Sequence, residues 1–304
     1  MLDSPLFFCH SYEMPLRSIP PAAIAVNRPA TSGPVVVSVP HAGRIYPPEV
    51  LAAARVERSQ LERLEDGWCD LIAAGATDAG AVVVQAMWAR AVADLNRGEG
   101  QMAPGEVAMP LRAQFSVPGR KERAGLGVVP TRLADCGPLW KRPIDRAALQ
   151  WRLESFHRPY HVALADELAR VRERFGHAIL VDLHSMPPIP VGQPGHGARI
   201  VIGDRFGGTA DEWLVDRAMA SARRSGEPVL RNQPYAGGHI VRTHGRPGDG
   251  VHAVQIEIDR SLYLTADRTP DGPRVAQLSR WFAELVTDLC RARPDAEIFP
   301  QAAE

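Results

Sequence analysis

The stretch AILVDLHSMPP at residues 178–188 decides how the rest of the chain is read. Apolar, β-favouring residues run unbroken into Asp182, His184 and Ser185, and a double proline then makes the chain turn. A strand buried on both faces carries such a run, and proline, which cannot donate into a ladder, marks its end. In open α/β sheets, ligand sites lie outside the carboxyl ends of the strands, and that is where His184 is delivered. A second stretch, VVVSVPHAG at 35–43, repeats the design with Pro40, His41 and Gly43. Two histidines at two strand ends point to a shared metal site.

Working outward, Leu61, Leu64, Trp68, Leu71 and Ile72 recur at helical spacing and predict one helix over 59–78, closed by Gly80. Residues 81–86 read as the next strand, and strand–helix–strand in this order implies parallel pairing with a right-handed crossover. Residues 98–143 lack periodicity, and a loop that long inside a domain is commonly functional. Residues 144–175 read as helix, interrupted at Pro159. Strands follow at 178–183, 198–203 and 252–259, with helices at 209–225 and 274–293. Residues 1–34 read as an irregular, proline-rich lead-in with a short edge strand at 22–26, and 35–304 as a single domain.

The 304 residues carry 35 basic and 35 acidic side chains, a balance that gives no electrostatic reason to expect nucleic acid or an anionic membrane as partner. Cys9, Cys69, Cys136 and Cys290 show no CxxC spacing, which fits a reducing compartment. The first residues have no basic n-region and no apolar core for export, and no segment reaches the roughly 20 apolar residues of a membrane span. The expectation is a soluble, cytoplasmic protein, with an oligomer left open.

Catalytic zinc takes three protein ligands from His, Glu or Asp, so an acidic partner for the two histidines is needed. Glu65, Asp66 and Asp70 lie in the right region, in LEDGWCD at 64–70, and spacing does not choose among them or separate them from a solvated helix face. Asn96 and Arg97, after Arg90, place an amide and planar guanidinium forks just before the long loop; such forks match carboxylates, and equally well an internal salt bridge. Glu257 alternates with Ile256 and Ile258, and a partly buried strand carboxylate has its pKa raised toward the range a general base needs. Upstream, GGHIVRTHG at 237–245 and His252 read as a Gly/His-rich loop suited to close approach to a ligand. His157 and His161 share a helix face at i, i+4 but lack the glutamate of a metalloprotease HExxH, and we read them as structural or supporting. There is no Walker A loop, and Ser185 has no GxSxG context, which argues against a serine hydrolase.

Taken in order, these segments resemble the N-formylglutamate amidohydrolase family. The matching pieces are VPHAG at 39–43, Leu64 to Asp66 with Asp70, DLNR at 94–97, RAGLG at 123–127, HRPYH at 157–161, VDLHSMP at 181–187, GDRFG at 203–207 and HAVQIE at 252–257. The resemblance covers about residues 35 to 290. It implies a three-layer α/β/α fold with a mixed, mostly parallel sheet, similar to zinc carboxypeptidases, with one Zn2+ bound at strand ends.

The resemblance also implies roles. His41 and His184 match metal ligands, with Asp66 as the acidic ligand and Glu65 the neighbouring alternative. Glu257 matches the glutamate that activates water. Asn96 and Arg97 match a pair that holds a substrate carboxylate. Arg90 or Arg123 would steady the oxyanion, and His252 is placed with the substrate-binding residues. The implied reaction is hydrolysis of N-formyl-L-glutamate, as in histidine breakdown; alternatives are a related amidase acting on another N-acyl amino acid, or a non-catalytic ligand-binding member. Two departures bear on substrate choice: Leu64-Glu-Asp-Gly67 stands where Asp-Thr-Asp-Trp is common, and His239 stands where an aromatic is common.

Overall fold

In the computed structural model, which describes residues 22–109, 115 and 118–292, the apolar runs become strands buried on both faces. The strands are Ile24–Asn27 (β1), Val35–Val39 (β2), Val82–Ala86 (β3), Arg132–Leu133 (β4), Gly137–Pro138 (β5), Ala178–Met186 (β6), Ile200–Gly203 (β7), Val229–Arg231 (β8) and Val251–Asp259 (β9). Apart from the small β4–β5 pair, these form one seven-stranded sheet among the described residues, in the order β1-β3-β2-β6-β9-β7-β8. Pairing is parallel from β3 through β2 and β6 to β9. It is antiparallel at β1–β3 and β7–β9, and parallel again at β7–β8. The sheet is therefore mixed and mostly parallel.

The helices are Pro48–Ala53 (α1), Arg58–Leu61 (α2), Cys69–Ala73 (α3), Arg120–Arg123 (α4), Arg146–Arg152 (α5), Arg158–Phe175 (α6), Glu212–Arg223 (α7), His239–His244 (α8) and Gly272–Cys290 (α9). Strand alternation sorts the core into two faces. Val36, Leu180 and Ala253 pack with Leu149, Phe156, Tyr160 and Leu164 of the α5–α6 region. Val35, Val37, Ile179, Val181 and Ile256 pack with Leu214 and Ala218 of α7 and Leu278, Phe282 and Leu285 of α9. Each such Leu, Val or Phe contributes about 1.5–3 kcal/mol relative to exposure, which is what holds three layers together. No helix among the described residues is long and apolar enough to cross a membrane.

Two differences from the sequence reading matter for the site. The helix expected over 59–78 is broken: α2 and a 3-10 turn at Glu62–Leu64 end before Glu65, and α3 begins only at Cys69. The Asp66 N–H donates to the carbonyl of His41 at 3.0 Å instead of continuing a helix, and Trp68 takes a left-handed conformation with φ 66°. Around Pro159, the helix is not interrupted but absorbs the missing N–H with one wide π turn at Leu153–His157. The short edge strand expected in the lead-in is present as β1, the sheet's antiparallel edge strand. The rest of the lead-in, residues 1–21, lies outside the described residues.

Candidate metal and hydrolytic centre

His41 stands two residues beyond β2 and His184 near the end of β6, so parallel pairing brings both to one end of the sheet. The break after Leu64 swings Asp66 between them. Its Oδ2 lies 2.9 Å from His184 Nδ1 and 3.3 Å from His41 Nδ1, and the two rings are 4.9 Å apart between centroids. All three residues are buried, and each can offer one donor atom within 4.8 Å of the others. Gly43 is required here by close approach: a Cβ would lie 2.2 Å from the Trp88 carbonyl oxygen.

The opposite nitrogens are held just as firmly. Asp94 Oδ1 lies 2.9 Å from His41 Nε2, and Asp182 Oδ2 lies 2.8 Å from His184 Nε2. A carboxylate at one ring nitrogen keeps the proton there and leaves the other nitrogen free for a metal. Asp182 is fixed by Ser38, whose hydroxyl donates to its Oδ1 at 2.8 Å. Asp94 is fixed by Arg90, which reaches its Oδ2 through Nε at 2.9 Å and Nη2 at 2.7 Å.

Three buried carboxylates around two imidazoles favour positive charge. Burial works to raise Asp66, but hydrogen bonds to His184 and His41 hold it well below the ordinary carboxylate range. Burial works to lower His184, and Asp182 and Asp66 drive it well above its usual value. The donor set therefore fits a divalent cation on the Asp66 side of the rings, in the place those protons otherwise fill.

Glu257 is the direct cross-strand partner of His184 in the β6–β9 register. Burial raises its pKa, against the pull of His184, to about 7. Gln255 Nε2 donates to Glu257 Oε1 at 2.8 Å. Gln255 Oε1 in turn accepts from Asn96 Nδ2 at 3.2 Å and from Gly238 N at 2.8 Å. Asn96 also accepts from Ile240 N at 2.9 Å and lies 3.1 Å from His184 Nε2. Gln255 and the Ile240 N–H thus hold its amide in place beside His184, as a brace for that ring, whose Nε2 proton goes to Asp182.

The remaining expected residues fall out as follows. Glu65 turns away from the histidines to accept from the Tyr46 hydroxyl; burial raises its pKa to about 8. Asp70 pairs with Arg44 at 2.6 Å. Arg90 lies 3.9 Å from Asp66, yet its fork is engaged by Asp94 and the Leu64 carbonyl, so its place is support rather than substrate contact. Arg97 is buried beside the centre and gives Nε and Nη1 to the carbonyls of Leu126 and Asn96. Arg123 is exposed, and its Nη1 donates to the Pro118 carbonyl at 2.6 Å. The substrate-binding place expected for His252 is corrected: it pairs with Ile179, five residues or roughly 16 Å along β9 from Glu257, and packs on the opposite face against Trp213.

Two cations were missed. Arg260 donates from Nη2 to Asp66 Oδ1 at 2.8 Å and from Nε to Ser185 Oγ at 2.9 Å. Lys121, on α4 in the aperiodic loop, reaches toward the centre, where desolvation and Arg97 lower its pKa while Asp94 and Glu257 raise it. Arg260 follows Asp259 directly at the end of β9, a place where strand-end logic would have looked. Lys121 carried no sequence signal.

The model of the family described as N-formylglutamate amidohydrolase matches residues 33–264. The chain belongs to that family. It is 32% identical over 235 residues to the N-formylglutamate deformylase of Pseudomonas putida, covering 76% of this chain and 82% of that one. The deformylase of Pseudomonas aeruginosa is 31% identical over the same shares. The crystal structure of N-formylglutamate amidohydrolase from Ralstonia eutropha JMP134 superposes with a TM-score of 0.82 at 30% identity, covering 89% of this chain and 98% of that one. The gene product Atu2144 of Agrobacterium tumefaciens shares the fold, with a TM-score of 0.60 at 22% identity, covering 88% of this chain and 95% of that one. A hydrolytic enzyme is what these relationships make of the chain, as expected from its motifs.

Proposed function

We propose that the chain hydrolyses the formamide bond of N-formyl-L-glutamate to formate and L-glutamate. The meeting of His41, Asp66 and His184 beside Glu257, from four separate segments, carries this reading, and the names of the relatives support the substrate. His41 Nδ1, His184 Nδ1 and Asp66 Oδ2 would hold a zinc ion, for which two imidazoles and a carboxylate are a common catalytic donor set. When bound, such an ion acts as a Lewis acid on a carbonyl and lowers the pKa of water toward neutrality.

The chain's own residues do the rest. Glu257 takes a proton from the attacking water and returns it to the departing nitrogen as the C–N bond breaks. Formate leaves with the water oxygen, glutamate leaves as the amine, and no further reactant is consumed. Asp94 and Asp182 keep both imidazoles in the tautomer that leaves Nδ1 available. Lys121 and the free edge of Arg97 face the substrate carboxylates, and Arg260 balances the charge of Asp66.

Formate release from N-formyl-L-glutamate by the purified chain tests the proposal, with N-acetyl-L-glutamate and N-formylglycinamide as comparisons. Turnover is expected with the first substrate, lost on chelation and restored by zinc. No formate from zinc-loaded protein would overturn it.

A further inference from the structure

A second set of histidines lies behind the first centre. His157 and His161 come from the π turn and the start of α6, His239 from the first residue of α8. Each can offer one ring nitrogen within 4.8 Å of the other two. The ring centroids stand 4.6 Å apart for His157–His161, 5.2 Å for His161–His239 and 6.2 Å for His157–His239.

The hydrogen bonds fix where the protons are. His157 Nε2 lies 2.7 Å from the carbonyl of Arg97, and His161 Nε2 lies 3.0 Å from that of Leu95. A carbonyl only accepts, so both Nε2 atoms carry the hydrogen and both Nδ1 atoms present a lone pair. His157 is 3% exposed, and its Nδ1 has no hydrogen-bond partner. His161 Nδ1 accepts from His244 Nε2 at 2.9 Å, so an ion at this nitrogen would take the lone pair that now holds His244. His239 has the Thr243 hydroxyl 3.3 Å from Nδ1 and 3.4 Å from Nε2, able to hold the proton on either nitrogen. Arg242 Nη2 also reaches Nδ1 at 3.1 Å, from an exposed side chain that can swing into solvent. An imidazole whose far N–H is held by a backbone carbonyl is the usual state of a metal-ligating histidine.

We propose that His157, His161 and His239 form a second metal site for a divalent transition ion such as zinc, with His239 the ligand on the open side. Imidazole donors suit zinc, nickel and copper, and three of them with an open position make a tetrahedral site. Its place in the fold gives it a structural consequence. The carbonyls of Leu95 and Arg97 flank Asn96, and Gly238 and Ile240, on either side of His239, bond to Gln255 and Asn96. An ion held by these three rings would therefore tie α6 and α8 together across the segment that braces His184.

The test is metal content by elemental analysis, and cobalt titration followed by visible absorption, on full-length chain after chelation, reloading and desalting. Wild type is expected to retain two ions, His239→Ala one, and His41→Ala one. The half-exposed His239 can be cut back without opening the core, and circular dichroism and a melting curve check that the variant is folded. His157→Asn is the second variant, expected to match His239→Ala in stoichiometry. Equal metal content in wild type and His239→Ala would overturn the proposal. If His41→Ala loses no ion while His239→Ala does, the catalytic-centre reading fails and this site stands.

Discussion

His184 and Glu257 face each other as a direct cross-strand pair in the parallel β6–β9 ladder, on the same side of the sheet. One strand register thus sets the distance between a candidate metal ligand and the candidate base, and neither depends on a loop for its position. Sites built on strands hold their geometry more tightly than sites on loops. Asp182, two residues before His184, and Gln255, two before Glu257, project to the same face and pin both side chains.

Glu257→Gln preserves the size of the side chain and removes the base. Turnover of N-formyl-L-glutamate is expected to fall by roughly 10²- to 10⁴-fold, the range general base catalysis supplies. Zinc content should match wild type, because Glu257 is not among the three donors. Wild-type kcat in this variant would remove it from the base role.

Asp182→Asn takes away the charge that holds the proton on His184 Nε2. Loss of such a partner commonly costs about 10- to 100-fold in metal affinity or activity. Chelator competition on the purified variant reads the affinity, and no change there would show that His184 needs no help from Asp182.

Gly238→Ala acts through space. A Cβ at this position would lie 2.3 Å from the Asn96 amide, which cannot swing aside because Ile240 N and Gln255 hold it. A loss of at least about 10-fold in kcat is expected, as misplacement of supporting groups by about an ångström can cost as much as 100-fold. Replacing Asn96 by Ala as well should recover part of the folding stability but not the rate. A fully active Gly238→Ala protein would show that the Asn96 brace is dispensable.

Much of this centre could be read from the chain because each histidine ends an apolar β-run, a local signal. Six strands of the sheet could be read from such runs, but the three-residue β8 and the antiparallel pairing of β7 with β9 carry no local signal of that kind. Spacing could shortlist Asp66 but not choose it, which only the family resemblance did, since the choice rests on a broken helix that the spacing of Leu61, Leu64 and Trp68 disguised. The apolar residues on both sides of the break pack into opposite core faces, Leu64 with one and Cys69 with the other, so a helical pattern survives without a continuous helix. His252 was misplaced for a different reason: motif neighbourhood in sequence says nothing about which end or face of a strand a side chain occupies. Asp94 lay inside a quoted motif, and its contact with His41 is long-range, visible only in three dimensions.

Lys121→Ala should raise KM for N-formyl-L-glutamate about 10-fold while leaving stability within about 0.5 kcal/mol, as surface substitutions usually do. Its effect should shrink on a formamide that lacks carboxylates, such as N-formylglycinamide. Comparable losses on charged and neutral substrates would count against electrostatic binding by this lysine.

His252, far from the catalytic end, makes a prediction about acid stability. Burial lowers its pKa, partly opposed by Asp211 and reinforced by His177. Its Nδ1 accepts from the Asp211 N–H at 3.4 Å, which only the neutral ring can do in that tautomer, and Trp213 packs edge-on at 5.1 Å. In the unfolded chain the imidazole takes up its proton near pH 6.5, before the folded protein does. As pH falls below that value, the unfolded state binds more protons and folding stability drops. The contribution is fully present above about pH 6.5 and is lost as pH falls through the lower folded value. Urea midpoints at pH 7.5 and pH 5 should therefore differ less in His252→Gln than in wild type, with the other buried histidines common to both proteins. An identical pH dependence in the two would mean that His252 titrates alike in the folded and unfolded chains, and that its burial has no electrostatic consequence.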